Sequence, residues 1–180
     1  MKITLYCSSR SNINPKYDDC ARRIGQWIGE NGHIMVYGGM DRGDMRIAAE
    51  ACHDAGGQVI GVVPSTRRGN AWSGNDENLL PEDLNQRKDI MINLGDRFVA
   101  LPGGYGTLDE ILSTLSQMMF TLTDFSRRLL IVNIDGIFDP LLEQFEKLAA
   151  IGVLDRGIFR RFEVVNSVDA ALHRLPEFCS

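Results

Sequence analysis

One run of this 180-residue chain has the residue types and spacing to do chemistry: Pro102-Gly103-Gly104-Tyr105-Gly106-Thr107-Leu108-Asp109-Glu110. Its glycines let the backbone approach an anion closely, and the helix expected from Thr107 onward presents unpaired N–H groups and the positive end of its dipole. Together these make a phosphate cradle. The loop lacks the lysine of a Walker-type loop and does not fit the spacing of a dinucleotide fingerprint, so a single phosphate suits it better than a triphosphate or a dinucleotide. The same glycines would also serve a plain strand-to-helix turn, which is the competing reading.

Glu110 also has two readings. Thr107-Leu108-Asp109-Glu110 fits a capping box, with Thr107 as the cap and Glu110 bonding back to its amide. Alternatively, an acid one helical turn from a phosphate cradle reaches the sugar that carries the phosphate. A carboxylate there could stabilise an oxocarbenium-like ribosyl centre or orient the attacking water. Upstream, Arg87-Lys88 opens a segment with apolar Ile90, Met91 and Leu94. A basic pair of this kind can be a solvated helix face, but Arg87 could equally fork onto a phosphate or hold Glu110 ionised and oriented.

The elements that must position these residues are legible as an alternation. Apolar, β-rich runs at 3–7, 33–37, 59–63, 97–101 and 129–134 are separated by helix-length segments at 15–30, 45–55, 82–94, 107–119 and 139–150. Strands apolar on successive residues are buried on both faces, and strands alternating with helices imply a Rossmann-like, doubly wound parallel sheet with helices on both sides. Residues 162–165 followed by Ser167 read as one more strand and a capped helix that complete a single domain over 1–180. The stretch 65–81, polar and rich in Gly and Asn, is expected to be the longest irregular connection and a mobile flap. In such a sheet ligands bind beyond the carboxyl ends of the strands. That rule brings Ser8-Ser9-Arg10, Gly38-Gly39, Pro64 and the glycine loop towards one ligand.

Bulk properties narrow the partners. Acidic residues outnumber basic ones by 24 to 19, a formal charge of −5, which argues against a nucleic-acid polymer or a membrane surface as partner. Cys7, Cys20, Cys52 and Cys179 form no zinc or disulfide pattern, and no apolar run has membrane-spanning length, so a cytoplasmic location is expected. His33, His53 and His173 are isolated, with no metal or nucleophile constellation around them.

Arg87-Lys88 followed by Pro102-Gly103-Gly104-x-Gly106-Thr107-x-x-Glu110 resembles the signature of the Lonely Guy phosphoribohydrolases, a family often labelled lysine decarboxylase. The similarity extends through Cys7-Ser8-Ser9, Tyr37-Gly38-Gly39, Gly61-Val62-Val63-Pro64 and Asn133-Ile134-Asp135-Gly136, and covers most of the chain. The resemblance implies a homodimer that hydrolyses cytokinin riboside 5′-monophosphates, or AMP-like nucleotides, to free base and ribose 5-phosphate without metal or redox cofactor. It places catalysis on Arg87 and Glu110. Gly103, Gly104, Tyr105, Gly106 and Thr107 would hold the phosphate with Lys88, while Ser8, Gly39 and Ser116 would line the nucleotide.

The chain departs from the family where Gly-Gly-Gly-x-x-Gly-Leu-Met-Gly is usual, reading Gly38-Gly39-Met40-Asp41-Arg42-Gly43-Asp44-Met45-Arg46. Asp41 and Asp44 would repel a phosphate unless Arg42 or Arg46 compensates, or they face solvent. That change is what favours an alternative function, a non-catalytic nucleotide or cofactor carrier of the same fold. Met118-Met119-Phe120 fits a dimer contact or core. No lysine is recognisable as a pyridoxal phosphate Schiff base, which excludes lysine decarboxylation.

Overall fold

A computed structural model describes residues 1–120 and 126–180. Among these residues, seven parallel strands form one sheet in the order β4-β3-β2-β1-β5-β6-β7. The strands are β1 (Lys2–Tyr6), β2 (Ile34–Tyr37), β3 (Gln58–Val62), β4 (Glu77–Leu79), β5 (Arg97–Ala100), β6 (Leu129–Val132) and β7 (Phe162–Val165). The chain winds outward from β1 to β4, returns to the far side of β1 as β5, and winds outward again. Strand order therefore reverses between β1 and β5, where a doubly wound sheet opens its crevice.

Among the described residues, six α-helices cover the sheet: α1 (Pro15–Glu30), α2 (Gly43–Asp54), α3 (Leu84–Leu94), α4 (Tyr105–Phe120), α5 (Asp139–Ala150) and α6 (Val168–Phe178). Alternate strand side chains point to opposite faces, and the core divides accordingly. Ile3, Leu5, Val99 and Leu101 pack with α1, α2 and α6, whereas Tyr6, Phe98 and Ala100 pack with α3, α4 and α5. Helices α1 and α2 touch backbone to backbone. A Cβ on Gly25 would lie 2.1 Å from the Ala48 carbonyl oxygen, so only glycine permits this approach. Asn14 caps α1 by accepting from the Lys16 amide, and Pro15 supplies a preset first-turn φ.

The stretch 65–81 differs from expectation. Ser65–Asn70 forms 3-10 turns, and Glu77–Leu79 adds an edge strand parallel to β3. The remainder is pinned rather than free. Met40 and Ala71 form an isolated antiparallel bridge, the Trp72 amide donates to the Gly39 carbonyl at 3.0 Å, and Tyr37 Oη donates to Asn75 Oδ1 at 2.7 Å. Trp72 is buried, with Arg46 stacked 4.8 Å from its ring centroid and His53 edge-on to it. A single tryptophan in a polar stretch supplied the apolar anchor that a composition-based reading of the loop could not weigh.

Candidate active site

Helix α4 starts at Tyr105, two residues earlier than expected, and this decides the role of Thr107. The Gly104 carbonyl accepts from the Leu108 amide at 3.1 Å, so Thr107 lies inside the first turn and is not its cap. Its hydroxyl packs back onto the loop, where a Cβ on Gly103 would be 2.1 Å from Thr107 Oγ1. The capping-box arrangement is therefore absent, and the Glu110 side chain is released for another partner.

That partner is Arg87. Helix α3 begins at an Asp83 cap whose carboxylate accepts from the amides of Asn85 and Gln86, which fixes the first turn on which Arg87 stands. Arg87 Nε donates to the Val62 carbonyl at 2.8 Å, and Nη1 donates to Glu110 Oε1 at 3.1 Å. The guanidinium is thus tied to the end of β3 while its fork presents to the acid. A Cβ on Gly38 would lie 2.3 Å from Arg87 Nη2, so the first glycine after β2 is what admits the arginine. Glu110 is buried, and its burial outweighs Arg87 in setting the carboxyl pKa, which is pushed up to about 7. Behind it, Tyr6 Oη and Thr114 Oγ1 share a buried hydrogen bond of 2.8 Å. That pair was not legible in the sequence, because it joins a strand to the buried side of a helix over 108 residues.

The other expected residues fall as follows. Gly103, Gly104 and Gly106 occupy the loop and first turn after β5, with nothing within 4 Å of a Cβ on Gly104 or Gly106, so this stretch is open. Tyr105 is 88% exposed at the start of α4. Ser8 lies at the end of β1, with its hydroxyl accepting from the Arg10 amide at 2.9 Å. Gly39 takes a positive φ of 76° against Gly61 and Val63. Lys88 is engaged with Asp109 at 2.9 Å, which draws its charge to the rim beside Glu110. Ser116 stands apart from Glu110, lining a groove of about 500 Å³ between α3 and α4 with Lys88 and Phe120.

The charges of the atypical loop after β2 are partly offset. Arg46 binds both Asp41 at 2.9 Å and Glu50 at 2.6 Å, so its single positive charge balances one of the two acids. Asp44 is buried, and neither of its carboxyl oxygens finds a hydrogen-bond donor. It faces the carboxyl of Asp18 on α1, and burial followed by this acidic neighbour pushes its pKa up to about 7. Burial likewise pushes the Cys20 and Cys52 thiols up to about 12, leaving them as core residues. Among the described residues no group of three or more His, Cys, Asp or Glu side chains could hold a metal ion, and no helix is long and apolar enough to cross a membrane.

A glycine-rich loop after β5, beside a buried acid–guanidinium pair near the switch point of a doubly wound sheet, defines a Rossmann-like α/β protein. Residues 45–175 match the family described as "Possible lysine decarboxylase", and the chain belongs to that family. Its relatives include a probable cytokinin riboside 5′-monophosphate phosphoribohydrolase of Oryza sativa, 30% identical over 97% of this chain and 76% of the relative. A second from Oryza sativa is 36% identical over 85% and 69% of the two chains, and a cytokinin riboside 5′-monophosphate phosphoribohydrolase of Arabidopsis thaliana is 34% identical over 85% and 71%. Among solved structures, a molybdenum cofactor binding protein of Rippkaea orientalis superposes with a TM-score of 0.76 at 22% identity, over 99% of this chain and 97% of that one. The molybdenum cofactor carrier protein of Chlamydomonas reinhardtii gives 0.75 at 20% identity, over 99% and 97%. At these identities the structural likeness speaks for the fold alone.

Proposed function

We propose that this protein hydrolyses the N-glycosidic bond of nucleoside 5′-monophosphates, cytokinin riboside 5′-monophosphates or AMP among them, to free base and ribose 5-phosphate. The observation that carries the reading is the Glu110–Arg87 pair, buried and 3.1 Å apart, one helical turn from the glycine loop. The names of the relatives support the same reaction class.

The loop 102–107 and the first turn of α4 hold the 5′-phosphate with backbone N–H groups. This fixes the ribose beside Glu110. Arg87 orients the carboxylate, which stabilises positive charge at C1′ as the glycosidic bond breaks and its electron pair passes to the base. Water adds to C1′, and the proton it loses passes through Glu110 towards the departing base. A carboxyl with a pKa near 7 is suited to both accepting and returning that proton. Ser8 and Gly39 line the base side, and Lys88 joins the phosphate site by leaving Asp109.

The protein works in the cytoplasm, where its four buried free cysteines stay reduced, and as a homodimer. The dimer face is the outer surface of α3 and α4, where Leu84, Leu112 and Phe120 are exposed at 66%, 43% and 88%. Met118, by contrast, is core. The competing reading, a carrier that binds without turnover, is favoured by the altered loop carrying Asp44 and Arg46 and opposed by the intact Arg87–Glu110 pair.

One experiment separates the two: chromatographic assay of AMP and N6-isopentenyl-AMP, with the matching nucleosides as controls. Base and ribose 5-phosphate should form from the nucleotides only, and Glu110→Gln should lower kcat by about 10²-fold or more. Tight nucleotide binding with no base released by the wild-type chain would establish the carrier instead.

A further inference from the structure

Four arginines stand exposed on the loops that follow β1, β2 and β3: Arg10, Arg42, Arg67 and Arg68. None of them is in a salt bridge among the described residues, in a chain whose acids outnumber its bases by 24 to 19. The three loops are physically joined. A Cβ on Gly43 would lie 2.5 Å from the Arg10 carbonyl oxygen, and the Asp41 amide donates to the Asn70 carbonyl at 2.9 Å. The exposed residues Arg10, Arg42 and Arg68 therefore stand on a ridge of adjoining backbone. Of the nearby acids, Asp41 and Glu50 are both bound to Arg46, and Asp44 is buried.

Sheet order sets the direction in which this ridge faces. The glycine loop follows β5, and β1, β2 and β3 lie successively further away on one side of it. Glu110, on the helix after the glycine loop, meets Arg87, which is bound to the end of β3 and lies against Gly38 at the end of β2. A ribose beside Glu110 with its 5′-phosphate in the glycine loop would then have the loops after β1, β2 and β3 on its other side.

We infer that this ridge binds a second phosphate, carried at the ribose 2′ or 3′ position, so that the preferred ligands are nucleoside 5′-monophosphates bearing that further phosphate. The inference rests on the nucleotide reading above and goes beyond it in substrate class. Guanidinium forks match phosphate oxygens two at a time, and three on one ridge can do so without disturbing the 5′ site.

The test is isothermal titration of the Glu110→Gln chain, which removes turnover, with AMP, adenosine 3′,5′-bisphosphate and adenosine 2′,5′-bisphosphate. At least one bisphosphate should bind about tenfold or more tightly than AMP, with a steeper salt dependence. Adding Arg42→Gln and Arg68→Gln should abolish that advantage and leave the AMP Kd within roughly twofold, because the sites are separate. Equal Kd values for AMP and both bisphosphates, or a parallel loss for AMP in the arginine variant, would overturn the ridge alone. No binding of AMP at all would overturn the nucleotide reading and the ridge together.

Discussion

Glu110 is held between two opposed influences. Burial favours its neutral form and Arg87 its ionised form, and burial prevails, which places the carboxyl at about 7. Ionised Glu110 is the working form in the proposed reaction, so kcat/KM should fall as pH drops through about 7. Arg87→Ala removes the only large effect that lowers this pKa, so the acid limb should move to higher pH in addition to any loss of rate. A pH–rate profile of both chains checks the direction, and an unmoved limb would mean that Glu110 is not the titrating group.

Asp44 shows the same physics away from the chemistry. Its pKa rises from 3.8 to about 7 on folding, so the stability it contributes is complete below about 4 and is lost as pH climbs through 7. A change of that size corresponds to at most about 4 kcal/mol, and solvent access to the Asp18 side reduces it, so about 2 kcal/mol is expected. Asp44→Asn should then be more stable than wild type by that amount at pH 8 and gain little at pH 4. Urea unfolding at the two pH values measures this directly. At this scale the sequence was legible for Arg87 and Glu110, whose motif spacing survives in the fold. It was not legible for the Asp44–Asp18 contact or for Tyr6–Thr114, because both depend on which faces of distant elements meet.

At the scale of elements, the alternation of apolar runs and helix-length segments gave the strands and helices to within a few residues, because strands buried on both faces leave a continuous apolar run. Two boundaries escaped it. Helix α4 begins at Tyr105, since Gly104 rather than Thr107 provides the turn that starts it. The segment 65–81 is ordered because Trp72 anchors it beneath Arg46, and because its backbone is bonded to Gly39 and Asp41. Trp72→Ala should therefore cost about 3 kcal/mol, as expected for a buried aromatic. The same change should speed hydrogen exchange at the Asp41 and Trp72 amides more than at the amides of β1. Uniform acceleration across the sheet would show that Trp72 stabilises the fold globally and does not pin this segment in particular.

For the whole molecule, the parallel sheet and its switch point follow from the order of elements, and they bring five separated stretches of chain to one end. Assembly is another matter, because an apolar stripe that completes a core reads the same in sequence as one that meets a partner. The structure separates Met118, which is buried, from Leu112 and Phe120, which are not. Light scattering should report twice the chain mass of 20.1 kDa, and Leu112→Glu with Phe120→Glu should reduce it to that value. A monomeric wild type would remove α3 and α4 as an interface.

The two raised carboxyls also alter what the molecule is as an electrolyte. Composition assigns a pI of about 5.2, a value that counts Asp44 and Glu110 as ordinary acids already ionised at that pH. In the native chain both still carry their protons there, so the folded protein holds about two fewer negative charges than its own denatured form. In an isoelectric gradient the native chain therefore comes to rest at a higher pH than the same chain in urea, and unfolding is accompanied by a release of protons.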